Sequence, residues 1–190
     1  MILGMSLATF TVVHVIISLI AVVTGLVVMF GMLSSRRMPG LTAIFLIFTI
    51  LTSVTGFMFP FNGITPGILI GILSLILLSI ACFARYGTKL NGAWRWIYAL
   101  TALASLYLNM FVLVIQSFLK VPALHALAPS LPPAEPPFAI AQGIVLVFFV
   151  VMIIAVIRRY RPASAPEPVR KLSRPFAHKS ISFADQSTDL

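Results

Sequence analysis

Five long apolar stretches constrain this chain more than any other feature of its sequence. They lie at about 7–33, 41–61, 66–86, 96–120 and 139–157. Each is close to the roughly 20 residues that an α-helix needs to cross the hydrocarbon layer of a bilayer. Only 9% of the 190 residues are charged, against about 25% in an ordinary soluble domain. We therefore expect residues 1–161 to form an all-α, polytopic transmembrane helix bundle with five spans.

The second and third spans are separated by the shortest polar segment. Only an uncharged stretch from Asn62 to Thr65 lies between them, and Pro60 falls within the end of the second span. Thr65 followed by Pro66 is typical of an N-cap and a first helical position. Two full crossings are one interpretation and a re-entrant hairpin is the other. The alternation of basic clusters along the chain favours two crossings.

The basic residues predict the orientation of the bundle. Clusters follow the first, third and fifth spans, so that twelve of the thirteen Lys and Arg residues fall on one side and only Lys120 falls on the other. Under the positive-inside rule the basic side is cytoplasmic, which places the N-terminus outside. Trp94, Trp96 and Tyr98 mark the same membrane boundary. The net charge of +9 therefore indicates topology, and we expect no nucleic-acid partner.

Two segments outside the spans have a biased composition. Residues 162–190 lose hydrophobicity and gain Pro, Ser and basic residues, which predicts a disordered basic cytoplasmic tail that contacts the anionic membrane surface. Ser130–Pro137 holds four prolines, which favours a stiff polyproline-like path. We interpret it as a spacer before the fifth span, with a recognition segment as the alternative.

Small and polar side chains recur at helical spacing in the first four spans. Such a stripe normally faces other helices, whereas large aliphatic side chains face lipid. We therefore expect a four-helix core with His14, Asn109 and Gln116 directed at its interior. The fifth span is almost uniformly aliphatic, so we place it at the edge, facing lipid or docking a partner. The stripes are Thr11, His14, Ser18, Ala21 and Gly25; Thr42, Thr49, Ser53, Gly56 and Pro60; Gly67, Gly71, Ser74 and Cys82; and Thr101, Ser105, Asn109 and Gln116.

His14 is the ionisable side chain predicted to lie deepest in the bilayer. An intramembrane ionisable group is a functional hypothesis by default. The simpler interpretation is a neutral histidine that joins two helices by a hydrogen bond. The alternative is a ligand-binding site in the outer half of the bundle, formed with Asn109, Gln116 and His125. Its ligand would be a lipid-like molecule, a quinone or a haem, for which His14 and His125 would be the axial ligands.

The sequence contains no recognisable catalytic or metal-binding motif. Cys82 is the single cysteine, and all four acidic residues lie outside the spans, which argues against proton or cation coupling. No hydrolase, zinc-protease or phosphate-loop motif occurs. We expect no catalytic residue, no metal site and no cofactor in the main interpretation, and we predict that the chain is not an enzyme.

Three segments carry a resemblance. Thr52–Phe61, Gly92–Tyr98 and Phe118–Pro129 resemble segments of small bacterial inner-membrane proteins with several transmembrane helices and no known activity. The resemblance covers the five spans without the tail. It implies a multi-pass protein of the bacterial cytoplasmic membrane, and it transfers no site residue.

Two functional hypotheses follow from these observations. The first is a non-enzymatic membrane subunit that assembles with itself or with a larger complex through the fifth span. The second is a binder of a lipid-like ligand, quinone or haem through His14, Asn109, Gln116 and His125.

Overall fold

The computed structural model describes residues 2–60, 66–131 and 133–161 of the chain. Over these residues the regular secondary structure is helical, with no β-strand. The helices are α1 (Leu7–Leu33), α2 (Pro39–Gly56), α3 (Pro66–Cys82) with a π-helical turn at Phe83–Gly87, α4 (Trp94–Lys120), α5 (Pro122–His125) and α6 (Pro136–Arg159). Five of them are long and apolar enough to cross a membrane, which confirms the predicted fold class. The predicted tail, 162–190, lies outside the described residues.

Local sequence accounts for where the helices begin. The Ser6 hydroxyl accepts a hydrogen bond from the Thr9 N–H at 3.1 Å, which satisfies one unpaired donor at the start of α1. Pro39 and Pro136 occupy the first positions of α2 and α6, where a helix needs no N–H from them. The bounds of α1 match the predicted 7–33.

The second span ends earlier than predicted. The expectation was 41–61, but α2 ends at Gly56 and is followed by a turn at Phe57 and Met58. Pro60 disfavours helical geometry at the preceding residue, which accounts for an end before it. Residues 61–65, which hold the rest of the predicted boundary, lie outside the described part. The helices on either side, with 18 and 21 residues in their apolar segments, are both long enough to cross, which favours two crossings over a re-entrant hairpin.

The proline-rich segment differs from the predicted polyproline path. Pro136 and Pro137 form the first turn of α6, and the preceding loop is organised by Glu135. The Glu135 carboxylate accepts hydrogen bonds from the Ser130 N–H and hydroxyl at 2.9 Å and from the Ala134 N–H at 3.1 Å. Desolvation acts to raise the pKa of Glu135, but these hydrogen bonds outweigh it and hold the pKa below its usual value.

The long helices pack around one apolar core, with neighbours in sequence antiparallel and α1 parallel to α6. α1 packs on α2, α3 on α4, and α6 on α4 and α1. The buried side chains concentrate in the half of the bundle that the charge pattern predicts to be cytoplasmic. They include Met29, Phe45, Leu103, Leu106 and Phe149, each at most 1% exposed. The outer half is less tightly packed, with His14 and Asn109 both half-buried.

Gly25 sets the distance between α1 and its neighbours at the centre of this core. A Cβ at this position would lie 2.5 Å from Leu106 Cδ1 and 2.8 Å from the ring of Phe45. Absence of a side chain therefore lets α1 approach α2 and α4 together, as small residues do at helix crossings in membranes.

The fifth span, α6, occupies one side of the bundle. Its contacts within the described residues are with α4 and α1. On its inner face, Phe149, Met152 and Val156 pack into the core. Its most apolar segment is 17% buried, a smaller share than in the other four long helices.

Candidate functional site

His14 is the predicted site residue with the best-defined surroundings. It lies on α1, and its Nδ1 is 2.7 Å from the hydroxyl oxygen of Thr55 in the last turn of α2. The Thr55 hydroxyl donates its own proton to the Leu51 carbonyl at 2.7 Å. The Thr55 oxygen must therefore accept from His14, so that Nδ1 carries the hydrogen of the neutral imidazole. The hydrogen bond joins α1 to α2, as the simpler interpretation predicted.

This hydrogen bond directs the second nitrogen of the imidazole. In the Nδ1–H tautomer, Nε2 is an acceptor, and no described residue donates to it. Phe59 packs edge-on to the imidazole at 5.2 Å between ring centroids, and Phe10 contacts Phe59 at 5.0 Å. A Cβ at Gly56 would lie 3.8 Å from His14 Cε1, which is ordinary contact. The ring is thus held on one side by α2, with one nitrogen available.

The other three predicted residues do not join His14. Asn109 is half-buried, and its Nδ2 is buried without a hydrogen-bond partner among the described residues. His125 is the last residue of the short helix α5, and its Nδ1 is also buried without a hydrogen-bond partner among the described residues. Gln116 is exposed, so the prediction that it points into the bundle is wrong. No hydrogen bond or ring contact found in the described part links any two of the four.

Depth in the bundle separates His14 from Asn109. Gly25 contacts Leu106, and α1 runs antiparallel to α4, so these two positions mark one level. At about 1.5 Å per residue, His14 lies about 16 Å above that level and Asn109 only about 4 Å above it. The exposed Gln116 lies at nearly the same depth as His14. Because His14 and Asn109 differ in depth and Gln116 is exposed, the predicted residues do not form one ligand site.

The polar stripes of the helices are mostly satisfied within their own helices. Thr49, Ser53, Thr101 and Ser105 are buried, and each hydroxyl donates to the carbonyl three or four residues earlier. Such bonds use the single proton of each hydroxyl, so these side chains could only accept a hydrogen bond from a ligand. Ser74 is the exception on α3, since its buried hydroxyl has no described partner. The stripes therefore act mainly by allowing close packing.

Within the described residues, His14 lines neither the groove on α1 nor a group of metal-ligating side chains. A shallow open groove of about 300 Å³ lies on α1, lined by Leu19, Ile20, Val23 and Thr24. The Thr24 hydroxyl donates to the Ile20 carbonyl, so the groove is apolar in effect. No group of three His, Cys, Asp or Glu side chains that could hold a metal occurs within the described residues.

Three residues that join the helices were not singled out from the sequence. Thr55 pairs with His14, Gln142 donates to the Phe111 carbonyl at 3.0 Å and links α6 to α4, and Ser35 links the α1–α2 connection to the end of α6. Thr55 could have been found from the sequence. In an antiparallel hairpin it lies at nearly the same distance from the α1–α2 connection as His14.

Comparison of the chain with protein-family models, with curated proteins and with solved structures found no match.

Proposed function

We propose that this chain is a non-enzymatic membrane protein that assembles with a second copy of itself through α6. The observation that carries the proposal is a row of β-branched side chains on the outer face of α6. Ile140, Ile144, Val147, Val151 and Ile154 are 46–66% exposed. Their 4-3-4-3 spacing is that of the a and d positions of a left-handed helix pair. We call this row the α6 stripe.

The chemistry of the α6 stripe suits a helix partner. β-branched side chains have few rotamers and lose little freedom when they are packed. Within a membrane, helices associate by van der Waals packing of complementary surfaces, because lipid tails are as apolar as the helices. A regular row of this kind can interdigitate with a neighbouring helix at a crossing angle near +20°.

The second copy is the occupant that the α6 stripe favours. No polar or charged side chain interrupts the row between Ile140 and Ile154. Specificity against an identical helix would need a repulsive or unpaired polar group, and the stripe contains none. Two copies of the same regular row are also complementary in shape to each other.

The interior of the bundle supports a role without catalysis. The buried hydroxyls of α2 and α4 are bonded to their own helices, and no described metal-ligand cluster is present. General acid–base catalysis needs a positioned titratable group within reach of a substrate. His14 is a titratable side chain between two long helices, and it already makes a hydrogen bond to Thr55.

Cysteine crosslinking tests the assembly proposal directly. In a Cys82→Ser background, we expect oxidation of native membranes to produce covalent dimers with Val147→Cys and Val151→Cys. The matched control is Leu146→Cys, which is also exposed on α6 but lies about 100° from Val147 and about 140° from Val151 around the helix. Dimer yield at the two stripe positions should exceed that at the control position several-fold.

Two results would overturn this proposal. Equal dimer yields at all three positions would mean that α6 faces lipid and that the crosslinks arise from random collisions between chains. A crosslink to a different polypeptide at Val147 and Val151 would exclude the second copy as the occupant, and the mass of the product would identify the class of partner.

We also infer that the membrane is the cytoplasmic membrane of a bacterium. The resemblance of the Thr52–Phe61 and Gly92–Tyr98 segments to small inner-membrane proteins supports this inference. The distribution of basic residues supports a cytoplasmic C-terminus and an external N-terminus. Accessibility of an introduced cysteine at Ser6 and at Arg161 to a membrane-impermeant thiol reagent in intact cells distinguishes the two orientations.

Ligand binding at His14 is the second candidate function, and the unpaired Nε2 favours it. In a native mass spectrum, a ligand held by Nε2 would give a discrete adduct that is lost in His14→Phe. The control is Thr52→Val, which removes a hydroxyl that is bonded only within α2. The absence of any adduct from the wild-type spectrum, or its persistence in the His14→Phe spectrum, would leave His14 as a link between α1 and α2.

A further inference from the structure

The most unusual backbone of the described chain lies at the end predicted to be cytoplasmic. The third helix ends in a π-helical turn, Phe83–Gly87, which carries Arg85 and Tyr86. Ser35, Lys89 and Leu90, none of which is glycine, have φ angles of 52°, 53° and 63°. π-helical turns and left-handed non-glycine residues are uncommon, and they persist where surrounding contacts require them.

The π-helical turn places Arg85 among aromatic rings. Its guanidinium carbon lies 5.4 Å from the ring centroid of Tyr98 and 5.7 Å from that of Tyr86. Tyr98 is fully buried, and its ring lies 6.5 Å from the ring of Tyr160. Planar stacking against aromatic faces orients a guanidinium and leaves its N–H edges free to bind an anion.

Ser35 fastens the connection that carries a second arginine to the same end of the bundle. The Ser35 hydroxyl donates to the Arg159 carbonyl at 2.9 Å and accepts from the Arg161 N–H at 3.1 Å. These bonds fasten the α1–α2 connection, which holds Arg37, to the end of α6. Burial raises the pKa of Tyr160, while the positive charges of Arg85 and Arg37 act to lower it.

No described carboxylate neutralises this cluster. Eight of the nine Lys and Arg residues in the described part lie at this end of the bundle, whereas its single acidic residue, Glu135, lies at the other. Arg85 is half-buried, and a partly desolvated guanidinium without a counter-charge is unfavourable. An anion supplied from outside the described chain would remove this penalty.

We propose that Arg85, together with Arg37 from the α1–α2 connection at the same end of the bundle, binds the phosphate of an anionic phospholipid. Phosphate oxygens match the planar, multiply donating edge of a guanidinium. The location favours a lipid over a free ion. Phe83 is 57% exposed and packs on Trp94, so an acyl chain below the phosphate would meet an apolar surface at the membrane boundary.

Lipid titration of the intact protein tests this proposal. The full chain in mild detergent is titrated with phosphatidylglycerol or phosphatidylcholine, and bound lipid is counted by native mass spectrometry on the monomer peak. We expect the wild-type chain to prefer phosphatidylglycerol. Arg85→Gln should lower the affinity for phosphatidylglycerol about tenfold or more, since it removes a charge-assisted hydrogen bond. Arg37→Gln should lose affinity in the same direction.

The matched control is Arg158→Gln, which removes one exposed charge from the same end. A diffuse basic surface predicts equal small losses for Arg158→Gln and Arg85→Gln, and that result would overturn the site. Arg85→Lys keeps the charge and the fold while it removes the planar edge, so it should show an intermediate affinity.

Competition with inorganic phosphate distinguishes a phospholipid headgroup from a free anion as the ligand. Loss of the bound phosphatidylglycerol on addition of millimolar phosphate, with no effect of an equal concentration of chloride, would assign the site to a free anion and overturn the lipid. Because lipid is counted on the monomer, failure of the α6 crosslinking experiment would leave this result unchanged.

Discussion

Replacing Phe45 with alanine is expected to lower the free energy of unfolding by about 3 kcal/mol, toward the lower end of the range for such truncations in protein cores. Phe45 is 0% exposed and lies where α1, α2 and α4 meet. In a micelle the unfolded chain already shelters its apolar side chains, so the transfer term is small. The loss arises mainly from van der Waals contacts that the remaining side chains cannot restore.

Denaturation by sodium dodecyl sulphate in mixed micelles, followed by far-ultraviolet circular dichroism, measures this change. The matched control is Phe30→Ala on α1, since Phe30 is 52% exposed and faces away from the core. We expect the control to change the free energy by less than about 0.5 kcal/mol. Equal losses in the two variants would contradict the placement of Phe45 at the helix junction.

A leucine at Gly25 is expected to cost about 3 kcal/mol by overpacking the same junction. Its Cβ alone would lie 2.5 Å from Leu106 Cδ1 and 2.8 Å from the ring of Phe45, and its three further carbons have no space to occupy. α1 would have to move away from α2 and α4, which would loosen the part of the core around Met29 and Leu103 as well.

Gly143 supplies the control for this substitution. It lies in α6, and a Cβ there would meet no heavy atom within 4 Å, so Gly143→Leu should leave stability unchanged or slightly increased. The double variant with Gly25→Leu and Phe45→Ala should be more stable than the sum of the two losses predicts, because the leucine fills part of the vacated volume. Strict additivity would show that the two residues do not share a contact.

The two ends of the bundle differ in a way that bears on both proposals. The half that is predicted to be cytoplasmic holds the densest packing, the Ser35 hydrogen bonds and the tyrosine–arginine cluster. This rigid half can position Arg85 for a phosphate. The other half holds the His14–Thr55 and Gln142–Phe111 bonds and several polar atoms without a described partner, which makes it the part from which local opening would start.

The sequence was most informative where hydrophobicity alone decides the outcome. The first span was predicted at 7–33 and observed at Leu7–Leu33, because an apolar segment of that length has no stable alternative to a helix in a membrane. The early end of α2 and the helical start at Pro136 depend on local backbone preferences within proline-rich segments. Those preferences compete with composition, and composition alone gave boundaries that differ from the observed ones.

Side-chain partners needed the packed structure. His14 was recognised as a link between helices, but Thr55 was identified only when α1 and α2 were brought together. Gln116 fits the helical spacing of Thr101 and Ser105 nearly as well as Asn109 does, yet it is exposed. Periodicity gives the face of a straight helix, whereas the neighbours available at each depth depend on how far the adjacent helices extend. The placement of Arg85 against Tyr98, of Tyr160 beside Tyr98, and of the α1–α2 connection on the end of α6 has the same origin, since these separate segments meet only after the helices have packed.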